Sequence, residues 1–410
     1  MRPLAHATTA VQATTATLTE LRRDFSLSAA VAGLIAVIVS YGGPAAIIFQ
    51  AAHKANLNPA QLTSWIWAIS IGSGLAGLVL SLRYRVPVII AWSTPGAALL
   101  AAGWAAYPYP EAIGAFVFAA VAITVFGATG LFSALMERIP RAVVAAMLAG
   151  ILFRFGVDVF TSLTATPLLV APMLGCYLAL KRFKPRYAIL GTLVLGLGIA
   201  ALLGLLRTEA LSAAFGAALA TPEITTPTFS LGALIGLGVP LFLVTMTGQN
   251  ATGLAVLRTA GYKTPGGPLV AATGALSTVL AFFGSHGINL AAITAAICTG
   301  PEAHSNPDKR YIAGVVCGLA YLVVGLFGAT LVGVFAALPP ALIAAISGLA
   351  LFGALMSGLS QAMSEEAQRE AALITFLVTV SGLSIAGIGA AFWGLVAGVL
   401  TDAALMANKR

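Results

Sequence analysis

The residues able to do chemistry are few and interrupt aliphatic runs. Trp92-Ser93-Thr94-Pro95-Gly96 and Ser285-His286-Gly287-Ile288-Asn289-Leu290 each follow an apolar stretch and precede an alanine-rich, helix-forming one. Ser or Thr followed by Pro marks a helix start, and Asn289 can cap the second stretch as Ser93 or Thr94 caps the first. A helix that starts at membrane depth exposes unpaired N–H groups and the positive end of its dipole, a seat for an anion. The expected donors are the N–H groups of Thr94–Ala97, including Gly96, and of Asn289–Ala291, including Leu290. The two starts are expected to face each other across one carboxylate. Ser93, Thr94 and Asn289 also serve as plain caps, and the two roles are compatible. Gln249 and Asn250 are adjacent buried amides that need partners, in a ligand, in a polar network or between helices. Tyr41, before Gly42-Gly43-Pro44, can hydrogen-bond or stack on a ring. His286 has the side chain whose ordinary pKa of about 6.5 suits proton transfer near neutrality. Arg154 and Asp158 share one helix face as an i,i+4 pair, expected either as a structural pair or as a gate or proton relay. No basic side chain falls at the proposed seat.

The elements that must hold these residues are membrane spans. The chain of 410 residues is 59% hydrophobic and only 8% charged, with mean hydropathy +0.98. A water-soluble globule carries about 25% charge, so this chain has too little to cover a wetted surface. Apolar stretches of roughly 20 residues, each able to span the hydrocarbon as a helix, follow one another almost to the C-terminus. Strand alternation of the barrel kind is absent. The 44 glycines suit closely packed helices in lipid. The first run begins near Phe25 without a plausible cleavage site and reads as a retained span. Cys176, Cys298 and Cys317 lie in apolar runs at spacings that fit neither a metal site nor a disulfide framework. No metal-ligand cluster, nucleophile–base spacing or phosphate loop appears, so neither an enzyme nor a cofactor is indicated.

Fourteen segments are expected, beginning near residues 26, 62, 86, 112, 141, 166, 187, 229, 267, 284, 311, 340, 371 and 388. With a cytoplasmic N-terminus, the inner connections hold nearly all the lysines and arginines, and the outer ones only Lys54 and Arg207, with Arg154 inside a span. The net charge of +8 is therefore mostly topological and does not indicate a nucleic-acid partner. The chain also repeats itself. Phe25-Ser26-Leu27 returns as Phe229-Ser230-Leu231. Ile139-Pro140-Arg141-Ala142 is echoed by Leu338-Pro339-Pro340-Ala341. Seven spans separate the copies, which makes a 7+7 inverted repeat, the signature of a secondary transporter with its site between the repeats. The expected fold is an all-α polytopic membrane protein with short strands in segments 3 and 10.

The expected organisation is a cytoplasmic tail (1–25), a core domain in two parts (26–140 and 229–338), a gate domain in two parts (141–206 and 339–410) and a periplasmic linker (207–228) with a short interfacial helix. Both termini are then cytoplasmic, in a bacterial inner membrane.

Several strings carry a more specific likeness. Phe25-Ser26-Leu27-Ser28, Ala91-Trp92-Ser93-Thr94-Pro95-Gly96-Ala97, Gln249-Asn250 and above all Gly284-Ser285-His286-Gly287-Ile288-Asn289-Leu290-Ala291-Ala292-Ile293-Thr294 resemble the bacterial BenE-type benzoate/proton symporter family. That family is similar in architecture to nucleobase and sulfate permeases. The resemblance implies uptake of benzoate, or a similar aromatic monocarboxylate, with a proton by alternating access. The alternative is a related permease for nucleobases or small inorganic anions. Nucleobase permeases carry acidic residues where this chain has amides, and a fixed negative charge would repel a carboxylate. The expected partners are thus a small aromatic carboxylate, a proton and the lipid bilayer; a homodimer is compatible with the chain.

The orientation is testable by labelling. With the three native cysteines replaced, Lys184→Cys should be shielded from a membrane-impermeant thiol reagent added outside, and Glu209→Cys should react. The opposite pattern would overturn the orientation and the alignment of the repeats with it.

Overall fold

A backbone this apolar has to satisfy its own N–H and C=O groups, and helix is the local way to do so. The computed structural model describes residues 18–131, 140–215, 219–386 and 388–407. The first 17 residues, Ile139 of the second repeated motif and the C-terminal Lys409-Arg410 lie outside them.

A short α1 (Leu18–Asp24) leads into α2 (Leu27–Gly42) and α3 (Pro44–Lys54). Then come α4 (Pro59–Tyr84), strand β1 (Ile90–Trp92), α5 (Thr94–Gly103) and α6 (Tyr109–Thr129). They are followed by α7 (Arg141–Ala165), α8 (Pro167–Phe183), α9 (Ala188–Leu202) and the short α10 (Thr208–Phe215), which falls where an interfacial helix is expected. The second part opens with α11 (Leu231–Thr259), α12 (Gly266–Ala281), β2 (Ile288–Leu290) and α13 (Ile293–Thr299). It closes with α14 (Tyr311–Leu326), α15 (Gly328–Ala336), α16 (Pro340–Ala362), α17 (Arg369–Ser381) and α18 (Ala390–Ala407). Among the described residues, seven helices are long and apolar enough to cross a membrane, counting α2 and α3 as one.

The repeated motifs mark helix starts. Ser26 accepts a hydrogen bond from the Ala29 N–H at 3.2 Å, and Ser230 accepts one from the Ala233 N–H at 3.2 Å. Each is the N-cap that Phe-Ser-Leu announces. Pro140 precedes α7 as Pro339 precedes α16. Asn58 and Gln61 form a reciprocal capping box at the start of α4.

Two spans are not plain helices. The first breaks at Gly43, and Pro44 begins a new helix. A Cβ on Gly43 would lie 2.8 Å from Ile189 and 3.0 Å from Ala350, so only glycine lets the break approach α9 and α16 this closely. Helix α11 winds as π-helix at Leu234–Gly238 and again at Met246–Asn250. Such bulges cluster at functional sites because they redirect side chains.

Helix α4 packs along α14, α6 along α12 and α7 along α16; α17 and α18 pack together and against α7, and α8 packs against α9. At the α1 end a charged cluster fastens the structure. Asp24 accepts from Arg23 at 3.1 Å and from the Tyr311 hydroxyl at 3.1 Å, lies 3.5 Å from Lys309, and Glu20 pairs with Arg85. The Arg23 guanidinium beside it holds the Asp24 carboxyl below the usual carboxylate range.

The strands β1 and β2 pair antiparallel, with Ile90 opposite Leu290, Ala91 opposite Asn289 and Trp92 opposite Ile288. Two serines sew this extended backbone to neighbouring helices. On α4, Ser81 Oγ accepts from the Val88 N–H and donates to the Val88 carbonyl, both at 3.2 Å. On α12, Ser277 Oγ accepts from the Ile288 N–H at 2.9 Å and reaches the Ile288 carbonyl at 3.3 Å. Both serines are fully buried. Replacing either by alanine orphans a buried N–H, so Ser81→Ala and Ser277→Ala should each cost roughly 1–3 kcal/mol. A lowered melting temperature in detergent would register it; wild-type melting of both variants would mean that the extended stretches do not depend on these hydroxyls.

Candidate functional site

Extended backbone at membrane depth needs a partner for every polar group, and the polar residues picked out in the sequence are largely those partners. Ser93 is the N-cap of α5. Its Oγ accepts from the Gly96 N–H at 3.1 Å and from the Thr245 hydroxyl at 3.0 Å, and the Ala97 N–H bonds its carbonyl at 2.8 Å. Pro95 has no N–H. The start of α5 is therefore closed from within, and of the expected donors only Thr94, its half-buried first residue, keeps an uncommitted N–H and hydroxyl among the described residues.

Asn289 does not cap the second half-helix. It lies inside β2, and α13 begins only at Ile293 after Ala292, which supplies no side-chain cap. The shift has a cause: the Leu290 and Ala291 N–H groups are already bound, to Asn250 Oδ1 at 3.1 Å and to the Ile89 carbonyl at 2.9 Å. Strand pairing claimed residues that a helix would otherwise have taken. The Asn289 amide, oriented so that both its ends are satisfied, accepts from the Ser93 N–H at 3.0 Å and donates to the Leu290 carbonyl at 3.3 Å.

Antiparallel pairing also separates the two helix starts. Ser93 lies beside Gly287 and Ala291 beside Ile89. Four residues of strand, about 13 Å, stand between them. One carboxylate cannot touch both, so the shared seat expected from the sequence is not the one the backbone offers.

His286 is held on both sides. The Trp65 indole N–H, which can only donate, reaches its Nδ1 at 3.0 Å; its Nε2 then carries the proton and donates to the Ser93 carbonyl at 2.9 Å. The ring is buried and packs edge-on against Trp65 at 5.4 Å. A second proton would require it to give up the Trp65 bond. Gly287, next to it, has φ +118°, a conformation that only glycine adopts without strain, and so aims the chain into β2. The Trp65–His286–Ser93 chain was invisible in the sequence, since 221 residues separate the first pair.

Of the two amides on α11, Asn250 is fully buried and structural, with its Nδ2 3.6 Å from Met246 Sδ and its oxygen on Leu290. Gln249 differs: it is half-buried, and no described residue hydrogen-bonds its side chain. A Cβ on the preceding Gly248 would lie 3.6 Å from Pro95 and 3.7 Å from Leu148, which places this turn of α11 against the start of α5 and against α7. Tyr41 completes the neighbourhood. Its hydroxyl bonds Ser70, and its half-buried ring stands 5.0 Å from Trp92 and 5.9 Å from Tyr321. The Trp92 indole N–H is buried with no hydrogen-bond partner among the described residues.

Arg154 and Asp158 do not pair. Arg154 is exposed and turns toward Gly382, where a Cβ would come within 3.1 Å of its guanidinium. Asp158 instead accepts from the Gln50 amide at 3.3 Å, across the contact between α3 and α7. The helix periodicity was right about the shared face but blind to the competing partner on another helix.

Towards the α1 end, a cleft of about 470 Å³ lies between Leu27, Ser28, Val31, Ala32 and Ile35 of α2, Tyr187 before α9, and Glu302.

Residues 23–404 match the family described as "Benzoate membrane transport protein". The chain is 44% identical over 395 residues to the benzoate membrane transport protein of Acinetobacter baylyi, covering 96% of this chain and 99% of that one. It is 46% identical over 367 residues to the inner membrane protein YdcO of Escherichia coli, covering 90% and 93%. Among solved structures it resembles the murine Slc26a9 anion transporter in the inward-facing state, with TM-score 0.62 and 11% identity, over 94% of this chain and 69% of that one. It also resembles the transmembrane domain of the cyanobacterial bicarbonate transporter BicA, with TM-score 0.53 and 17% identity, over 96% and 99%. At such identities the structural likeness speaks for the fold alone.

The two amides should separate on mutation. Asn250→Ala orphans the buried Leu290 N–H and should lower stability by roughly 1–3 kcal/mol. Gln249→Ala breaks no bond within the protein and should melt with the wild type. Equal melting of the two variants in detergent would contradict this division.

Proposed function

Because the chain belongs to the benzoate membrane transport protein family, we propose that it imports benzoate, or a similar aromatic monocarboxylate, together with a proton by alternating access. It is a membrane transport protein, not an enzyme. The observation that carries the reading is a pair of uncommitted neutral donors, Thr94 and Gln249, on neighbouring turns of α5 and α11 beside the Tyr41 ring. A carboxylate fits neutral hydrogen-bond donors, and an aromatic ring fits the half-buried face of Tyr41. Ser93, Gly96, Asn250, Asn289, Leu290 and His286 hold the frame around this seat.

The 7+7 repeat remains the reading of the architecture. Its support is that helix contacts occur in exchanged couples: α4 with α14 and α6 with α12, α8 with α9 and α17 with α18. Ser81 and Ser277 do the same work in the two halves. The core domain takes residues 26–140 and 229–338 and the gate domain 141–206 and 339–410. Leu148 of the gate then borders the seat, as the site of a rocking transporter should be bordered. With both termini cytoplasmic, the cleft beside α2 opens inward while Gln50 and Asp158 meet on the outer half, the arrangement of an inward-facing state.

Each charge-assisted hydrogen bond to the carboxylate contributes roughly 1.5–3 kcal/mol. Gln249→Ala or Thr94→Ala should therefore weaken benzoate binding by about tenfold or more. Benzamide, with the ring but no charge, should compete poorly. Calorimetric titration in detergent decides it: benzamide binding as tightly as benzoate, or both variants binding normally, would remove the carboxylate from this seat.

A further inference from the structure

The contact between Gln50 and Asp158 leaves something over. Gln50 donates one N–H to Asp158 Oδ2 at 3.3 Å, while its own Oε1 is buried and has no hydrogen-bond partner among the described residues. An ionised carboxylate has only acceptors and cannot serve that oxygen. The amide that bonds the carboxylate through its nitrogen therefore leaves its own oxygen buried without a donor.

A proton on Asp158 is the missing part. We propose that Asp158 and Gln50 form a protonation-controlled latch between α3 and α7. The proton added to the carboxylate becomes an O–H that donates to Gln50 Oε1, while the Gln50 N–H continues to donate to the other carboxyl oxygen. Acid and amide are then joined by two parallel hydrogen bonds, no acceptor is orphaned, and the pair carries no charge. Loss of the proton removes one bond and restores the orphan. Since α3 lies on the core side and α7 on the gate side, protonation favours the closed form of this half, and pH shifts the population of the two forms. As a transport device, the latch rests on the alternating-access reading above.

The surroundings leave Asp158 the acid of this contact. Helices α5, α11 and α16, which pack against α7, bring no titratable side chain to this stretch. On α7 itself Arg154 is one turn away and exposed. From α3 come His53 and Lys54, both exposed, with the Lys54 ammonium 5.9 Å from the centre of the Phe155 ring. Arg141 at the far end of α7, Arg258 on α11, Glu370 and Arg369 on α17, Asp402 on α18, and Cys176, Tyr177, Lys181 and Arg182 on α8 are the remaining titratable groups of the packed helices. Among the described residues, none forms an ion pair with Asp158.

Two variants separate the possibilities. Asp158→Asn keeps both parallel bonds, since an amide also offers one donor and one acceptor, but cannot titrate. Gln50→Leu removes both bonds and leaves the acid. Infrared difference spectra of the detergent-solubilised protein during a pH titration, without benzoate, should show a carboxylic C=O band that vanishes in Asp158→Asn and shifts in Gln50→Leu. In proteoliposomes both variants should lose about fivefold or more of the pH dependence of benzoate exchange, the effect of one hydrogen bond. A titrating band that survives Asp158→Asn, or one that Gln50→Leu leaves in place, would overturn the latch. Wild-type protein that shows the expected band yet exchanges no benzoate would instead overturn the transport reading and leave the latch standing.

Discussion

Everything near the proposed seat depends on two short strands that cross at membrane depth. An unpaired backbone group in hydrocarbon costs several kcal/mol, so three residues of strand on each side can persist only if every polar atom is matched. The ladder matches some of them. Ser81, Ser277, Asn250, Asn289 and His286 take the rest, from four different helices or strands. The polar residues of this chain are scarce, and these five buried ones are spent here.

That constraint sorts the polar side chains into two kinds. Those that complete the backbone, such as Asn250 and Ser93, are fully buried and bonded on more than one side. Those that remain, Thr94 and Gln249, are half-buried and uncommitted. A transporter needs both kinds. The first keeps the seat rigid through the conformational cycle proposed above. In the proposed site the second provides donors whose bonds are made only when cargo arrives, so that binding does not have to break a bond the protein already holds.

The helices beside the seat are irregular for a related reason. The break at Gly43 allows close approach to α9 and α16, and the two successive amides of α11, which lie in its π turn at Met246–Asn250, have different tasks. In a regular helix adjacent residues stand about 100° apart, so one amide facing the strands and its neighbour facing the gap follows directly from the winding. Contacts between α3 and α7, or between α11 and α7, are among those that join the two domains proposed above. Contacts of that kind can be made and lost without disturbing the interior of either domain.

The sequence by itself determined the broad solution. Composition required membrane helices, because 8% charge cannot cover a wetted surface. The Phe-Ser-Leu and Pro-containing motifs located helix starts, because a cap and a proline act on their own few residues. The start of α5 at Ser93 was legible for the same reason. Only the tertiary structure decided the rest. Asn289 looked like a cap and became part of a strand, because its neighbours' N–H groups are claimed by Asn250 and Ile89 from far along the chain. Arg154 and Asp158 looked like a pair, and Gln50 took the aspartate. His286 looked free to carry a proton, and Trp65 and Ser93 occupy both its nitrogens. In each case local spacing shows which partners a side chain can reach along its own helix. Which partner wins depends on groups brought alongside by packing, and that no local pattern records.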